Sequence, residues 1–183
     1  MRVVGGRLGG RPLKGPSTER IRPTSDRLRE SLFNILEHGH GGVAGLRVID
    51  LFAGTGALGL EALSRGARFA LLVDDGAEAR AAIRANVESL GLGGATRIFR
   101  RDARKLGAAP PGDRYDLAFL DPPYGRGLAE PALASLRDGR WLTPGAMIIV
   151  EEAADAVLSP PAGFVTEDQR AFGDTQICML RAD

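Results

Sequence analysis

Asp121-Pro122-Pro123-Tyr124 sets a carboxylate, two stiff imino acids and an aromatic ring side by side. The apolar run Leu117-Ala118-Phe119-Leu120 precedes it. Such a run reads as a buried strand, and the prolines end it. The tetrapeptide therefore stands at a strand's C-terminal end, where open α/β sheets place their sites. Its chemistry suits an exocyclic amine on a nucleobase. That amine is a poor nucleophile because its lone pair is delocalised into the ring. Two acceptors on its hydrogens would localise the pair and aim it. The Asp121 carboxylate is one acceptor. The Pro122 carbonyl is the other, aimed in advance because a proline followed by a proline has a restricted backbone. Tyr124 offers a face for stacking, worth about 1–3 kcal/mol per base. A base in a helix must leave its stack to arrive there.

A second acid, Asp50, ends another apolar run and opens the turn Phe52-Ala53-Gly54-Thr55-Gly56, followed by Leu58-Gly59. Gly54 and Gly56 let the backbone turn tightly and approach a ligand, and the next helix points its free N–H groups there. Gly54, Gly56 and Gly59 also fit a dinucleotide fingerprint. Asp50 opposes that reading, since a carboxylate there would repel a pyrophosphate. It would attract a cation, such as the ammonium and sulfonium of S-adenosylmethionine. A carboxylate for ribose hydroxyls is expected after the second strand, where Asp74 and Asp75 stand. Asp102, after the third, could accept from the adenine amino group or be a plain surface acid. The methyl donor is already activated, so alignment carries much of the rate. No metal is required, and two histidines with no cysteine cluster offer none a home.

The elements that must position these groups follow from periodicity. Helices are expected over Asp26–Leu36, Ala57–Arg65, Ala77–Leu90 and Leu128–Leu136, and strands over Leu46–Leu51, Phe69–Val73, Thr96–Arg100, Tyr115–Leu120 and Ala146–Glu151. Thr24 or Ser25 is the expected N-cap of the first helix, whose apolar stripe is Leu28, Leu32, Ile35 and Leu36. Ala81, Ala82, Ala85 and Val87 supply a small-residue face on the third. A turn at Pro144-Gly145 precedes the fifth strand. Phe164–Thr166 and Thr175–Leu180 alternate more and suggest an antiparallel pair. Strands alternating with helices make this a doubly wound, mainly parallel α/β sheet of seven strands.

The chain has 183 residues, 44% hydrophobic and 26% charged, which suits one soluble domain with a real core. Its one cysteine, Cys178, forms no internal disulfide. No apolar run approaches the roughly 20 residues of a membrane span, and no signal peptide is evident, so a cytoplasmic monomer is expected. Net charge is only +1, unevenly spread. Residues 1–30 hold eight cations against three acids, leaving the rest at a deficit of four. Residues 1–22, rich in glycine and arginine, read as a short hairpin or an arm that orders on a polyanion.

Three blocks together resemble the bacterial 16S ribosomal RNA guanine-N2 methyltransferases of the D type. They are Arg22-Pro23-Thr24-Ser25-Asp26-Arg27-Leu28-Arg29-Glu30-Ser31-Leu32-Phe33-Asn34, the turn from Asp50 to Gly56 with Leu58-Gly59 and Glu61-Ala62, and Asp121–Tyr124. The first is the most specific, and the likeness spans essentially the whole chain. It implies a Rossmann-like methyltransferase sheet in one domain, with 1–22 as basic arm or hairpin and 23–183 as catalytic core. It implies S-adenosylmethionine as donor and a guanine N2 of 16S ribosomal RNA as acceptor, in an assembled or assembling 30S subunit. Asp50, Phe52, Ala53, Gly54, Thr55, Gly56, Asp74 and Asp102 are then cofactor positions, and Asp121, Pro122, Pro123 and Tyr124 catalytic ones. Arg2, Arg7, Arg11, Lys14, Arg22, Thr24 and Arg27 are the expected RNA contacts. Such enzymes often carry glutamate where Asp74 stands, which leaves the ribose to Asp74 or Asp75. A DNA adenine-N6 methyltransferase shares the tetrapeptide, and an RNA-binding assembly factor without catalysis would share the basic segment.

Overall fold

The computed structural model describes residues 1–15 and 25–183. Seven strands form one sheet: β1 (Arg47–Leu51), β2 (Phe69–Val73), β3 (Thr96–Phe99), β4 (Tyr115–Leu120), β5 (Leu142–Ala153), β6 (Phe164–Phe172) and β7 (Thr175–Ala182). Their order is β3-β2-β1-β4-β5-β7-β6. The first five run parallel, and β7 joins antiparallel to both β5 and β6. β1 is the middle one of the five parallel strands, with Leu51 paired to Leu120 of β4, so the turn after β1 and the tetrapeptide after β4 emerge side by side.

Each parallel strand feeds alternate residues to two cores. Val48, Leu72, Leu117 and Phe119 pack on one face with helices α1 (Asp26–Gly39), α2 (Ala57–Ser64) and α3 (Ala77–Leu90). Ile49, Leu71, Ala118 and Leu120 pack on the other with α4 (Ala129–Asp138) and Trp141. A strand covered on both faces has to be apolar throughout, which is why β1, β2 and β4 were legible as unbroken runs.

Ser25 caps α1, its Oγ accepting from Leu28 N at 3.1 Å. The helix continues past Leu36 to Gly39, because the left-handed glycines that turn the chain, Gly41 and Gly42, come later. Leu32 and Leu36 are buried as expected, while Leu28 and Ile35 are only half-buried. Phe33, outside the expected stripe, is fully buried against Phe119 with ring centroids 5.7 Å apart. Burying such a ring contributes roughly 1.5–3 kcal/mol. On α3, Ala82 and Val87 are buried but Ala81 faces solvent; Ala79, Ile83, Asn86 and Leu90 complete the inner face.

Pro144-Gly145 makes no turn before β5 but a bulge inside it. Leu142 pairs with Tyr115 and Met147 with Leu117, so β5 spends more residues than its partner there. β6 extends to Phe172, well beyond Thr166, because its outer half is an exposed edge bearing Glu167, Asp168 and Arg170. Charges on an edge strand discourage further pairing.

Residues 1–15 are no free arm. An antiparallel bridge joins Arg2 to Pro12, and Val3 N donates to Arg11 O at 2.9 Å. Val3, Leu8 and Leu13 are buried in the α1–α2–α3 core. Glu61 of α2 accepts from the backbone N–H groups of Val4 and Gly5 at 2.8 and 2.9 Å. Ser64 accepts from Leu8 N and donates to Gly5 O. The buried Glu61 thus fastens this segment to the helix that follows the site's glycine turn. The expected seam between residues 22 and 23 lies outside the described residues. Among those residues no helix is long and apolar enough to cross a membrane.

Candidate active site

The C-terminal ends of β1, β2 and β4 surround a cavity of about 770 Å³, within the range of small-molecule sites. Its lining includes Asp50, Phe52, Ala53, Gly54, Thr55, Asp74 and Asp75 on one side. Asp121, Pro122, Pro123, Tyr124 and Arg126 line the other. Gly56 stands behind the lining as the left-handed N-cap of α2.

Asp50 is 1% exposed. Its Oδ2 accepts from Gly59 N at 3.0 Å, while Oδ1 is buried with no hydrogen-bond partner among the described residues. Burial pushes its carboxyl well above the usual carboxylate range; the Gly59 N–H pulls it down, and the Asp74 charge adds to the rise. An unsatisfied buried oxygen is costly, and a cation placed in the cavity would satisfy it. Gly59 allows this closeness: a Cβ there would run into the Leu72 side chain and sit 3.3 Å from Asp50 Oδ2.

Asp74 bridges two loops. Its Oδ2 accepts from Gly54 N and its Oδ1 from Gly76 N, each at 2.9 Å. Burial raises its pKa, against those two N–H groups. Asp75 also lines the cavity and is exposed. Phe52 holds a left-handed backbone, φ 56°, a sparsely populated conformation for a bulky residue. Asp102 does not line the cavity. It accepts from the backbone N–H of Arg104 at 2.9 Å and from its guanidinium at 2.8 Å, which holds its carboxyl below the usual range. β3 is the edge strand of the sheet, separated from β1 by β2.

Asp121 is half-buried, one residue past Leu120. Pro122 is buried and Pro123 exposed. The Tyr124 hydroxyl lies 2.8 Å from Glu151 Oε1 and 2.7 Å from Thr175 Oγ1. Next to it, Gly125 N donates to Glu152 Oε1 at 3.1 Å. Glu151 and Glu152 are only 3% and 5% exposed. These two acids were not singled out from the sequence, although they end the apolar run of β5 as Asp50 ends that of β1. They lacked a flanking motif, and their partners are remote in sequence.

The expected RNA contacts divide. Arg2, Arg7, Arg11, Lys14 and Arg27 are exposed. Arg2 Nε stands 3.9 Å from Asp26, and Arg11 donates to Ser89 O at 2.8 Å. Arg22 and Thr24 lie outside the described residues. Among the described residues no group of His, Cys, Asp and Glu could hold a metal ion.

Known proteins are similar to this chain in sequence and in fold. The family model described as "Conserved hypothetical protein 95" matches residues 1–181. The ribosomal RNA small subunit methyltransferase D of Escherichia coli K12 is 38% identical over 94% of this chain and 85% of its own length. The chain belongs to the small-subunit methyltransferase D family. The family member of the same name from Haemophilus influenzae is 31% identical over 94% of this chain and 89% of its own. A solved Escherichia coli structure superposes with a TM-score of 0.84 at 31% identity, covering all of this chain and 98% of the other. One from Thermus thermophilus gives 0.77 at 31% identity, covering 98% of both. The family and fold are those of methyltransferases, and the sheet is the Rossmann-like sheet expected.

Proposed function

We propose that this chain transfers a methyl group from S-adenosylmethionine to the exocyclic N2 amine of a guanine in 16S ribosomal RNA, within an assembled or assembling 30S subunit. One observation carries the reading. A cavity holds a buried, half-satisfied carboxylate, Asp50, at one strand end and Asp121-Pro122-Pro123-Tyr124 at the adjacent one. The names of the relatives supply the substrate class: ribosomal RNA of the small subunit.

S-adenosylmethionine supplies a methyl group already activated on a sulfonium. Asp50 Oδ1 fits its cationic end, the turn from Phe52 to Gly56 cradles it, and Asp74, with Asp75 beside it, faces the ribose. Asp102 would reach the adenine only by giving up Arg104. On the other side Asp121 and the Pro122 carbonyl accept the two amine hydrogens. They hold the nitrogen lone pair toward the methyl, and alignment supplies the rate. Tyr124 stacks the base, its ring fixed by Glu151 and Thr175. The proton lost by the amine goes first to Asp121 and then to water. Arg2, Arg7, Arg11, Lys14 and Arg27 take RNA phosphates, and Arg22 and Thr24 belong to the same proposed set of RNA contacts. The whole chain acts as one domain and one cytoplasmic copy, without a metal.

Transfer of labelled methyl from S-adenosylmethionine should be compared on 30S particles, naked 16S ribosomal RNA and duplex DNA. The particles should come from Escherichia coli cells lacking their own small-subunit methyltransferase D. Incorporation into 30S particles, mapped by mass to a guanine N2, is the expected result. Preference for adenine in duplex DNA, or no transfer despite donor binding, would refute the reading.

A further inference from the structure

The cavity mouth carries a charge problem. Among the described residues that line the cavity, Asp50, Asp74, Asp75, Glu78 and Asp121 are acids and Arg126 is the cation. A nucleotide that inserts its base brings a phosphodiester to that mouth. Acids within a Debye length, about 8 Å in physiological salt, oppose its approach. The basic residues of 1–15 sit on the α2 and α3 side of the sheet, fastened through Glu61, Ser64 and Ser89. They do not line the cavity.

Arg126 lies on the acceptor side, two residues past the ring proposed to stack the base. It is exposed, and among the described residues no hydrogen bond or ion pair occupies its guanidinium. Its backbone setting is built. Gly125 and Gly127 flank it with φ of 71° and 62°, and a Cβ on either would meet nothing within 4 Å. Their glycine identity therefore serves backbone conformation, which costs other residues roughly 1–2 kcal/mol each. Upstream, Gly125 N is tied to Glu152 and the Tyr124 hydroxyl to Glu151 and Thr175. A fixed base thus presents one long cation, unengaged among the described residues, beside a described lining whose other charged groups are acids.

We infer that Arg126 binds the phosphodiester of the nucleotide whose base enters the cavity, and so sets that base against Asp121. A guanidinium suits this task because its planar fork matches two phosphate oxygens. The inference rests on the reading of the chain as an RNA methyltransferase. It adds a phosphate site at the point of insertion, separate from the basic surface of residues 1–15.

The test uses the full chain and the same methyltransferase-deficient 30S particles. For Arg126→Ala the KM for particles should rise about threefold to tenfold. The slope of log(kcat/KM) against log salt should flatten by about 0.7–0.9, the loss of one phosphate contact. The calorimetric Kd for S-adenosylmethionine should not move, which also shows that the variant is folded. Arg126→Lys should recover most of the slope but less of the KM. An unchanged slope in Arg126→Ala, with wild-type transfer intact, overturns the inference alone. A weakened donor Kd overturns it in favour of a donor-carboxylate contact. Absence of transfer by the wild-type chain overturns the functional reading and the inference with it.

Discussion

The donor and acceptor halves of the cavity are built in different ways. The donor half is local: Asp50, Gly54 and Gly59 belong to one strand–turn–helix unit, and Asp74 reaches in from the adjacent strand to hold Gly54 N. Backbone N–H groups hold its carboxylates. The acceptor half is assembled over distance. Tyr124 and Gly125 are fixed by Glu151 and Glu152 of β5 and Thr175 of β7, residues 27 to 51 positions away. A local half can be altered without moving its neighbour. A half assembled from three strands transmits damage from any of them.

The largest effect should come from the acceptor half. Asp121→Ala should slow single-turnover transfer by about 100-fold to 1,000-fold, the scale of losing one preorganised polar group at a reacting centre. Its donor Kd should stay within a factor of two or so of wild type, since local construction insulates Asp50. Equal losses in both measurements would erase the distinction between the halves.

Asp50→Asn comes next. It removes the charge while keeping the shape, and a hydrogen bond to a charged group is worth about 1.5–3 kcal/mol. Calorimetry should show donor binding weakened by roughly tenfold to a hundredfold. The transfer rate at saturating donor should change far less. A rate collapse at saturation would place Asp50 in the chemistry instead.

The distant supports should matter less, and in a different parameter. Tyr124→Phe loses the hydroxyl ties at about 0.5–1.5 kcal/mol, which predicts a KM for particles raised roughly twofold to tenfold. Glu151→Gln, which can still accept from Tyr124, should recover most of what Glu151→Ala loses. Wild-type KM values in all three variants would mean the ring needs no anchor.

How much of this was legible follows the same division. The acids Asp50, Asp74 and Asp121 each end an apolar run on the sheet's central strands, and all three line the cavity. Asp102 instead follows Arg100-Arg101 beyond the edge strand, where Arg104 two residues on captures it. Glu151 and Glu152 also end a run, yet nothing local marks their partners. Arg126 carries no local signal, since its neighbours Gly125 and Gly127 belong to no motif. β6 was half-read because its outer half is polar and leaves no period. The segment 1–15 read as a short hairpin or an arm; the antiparallel Arg2–Pro12 bridge fits the hairpin, while its packing on α2 was not legible because Val3, Leu8 and Leu13 are widely spaced. Phe33 escaped the helical stripe by standing next to Leu32, where its ring reaches β4.

The smallest effect is one of pH. Burial lifts the folded Asp50 carboxyl well above its ordinary range, against the Gly59 N–H and with the Asp74 charge adding. The stability contributed by protonated Asp50 is therefore complete below the ordinary carboxylate range. It is lost as pH rises through the folded value. A cationic donor binds the ionised form and opposes that loss. The gain in Tm on adding S-adenosylmethionine should therefore grow with pH across this window, and be flatter in Asp50→Asn. Equal pH dependence in the two proteins would detach Asp50 from the donor.

The most direct measurement is a crystal structure with S-adenosylhomocysteine bound. The account predicts the amino end of the ligand against Asp50 Oδ1 and its sulfur facing the space between Asp121 and Tyr124, with room for a purine there. A ligand bound elsewhere, or a sulfur turned away from that space, would contradict it.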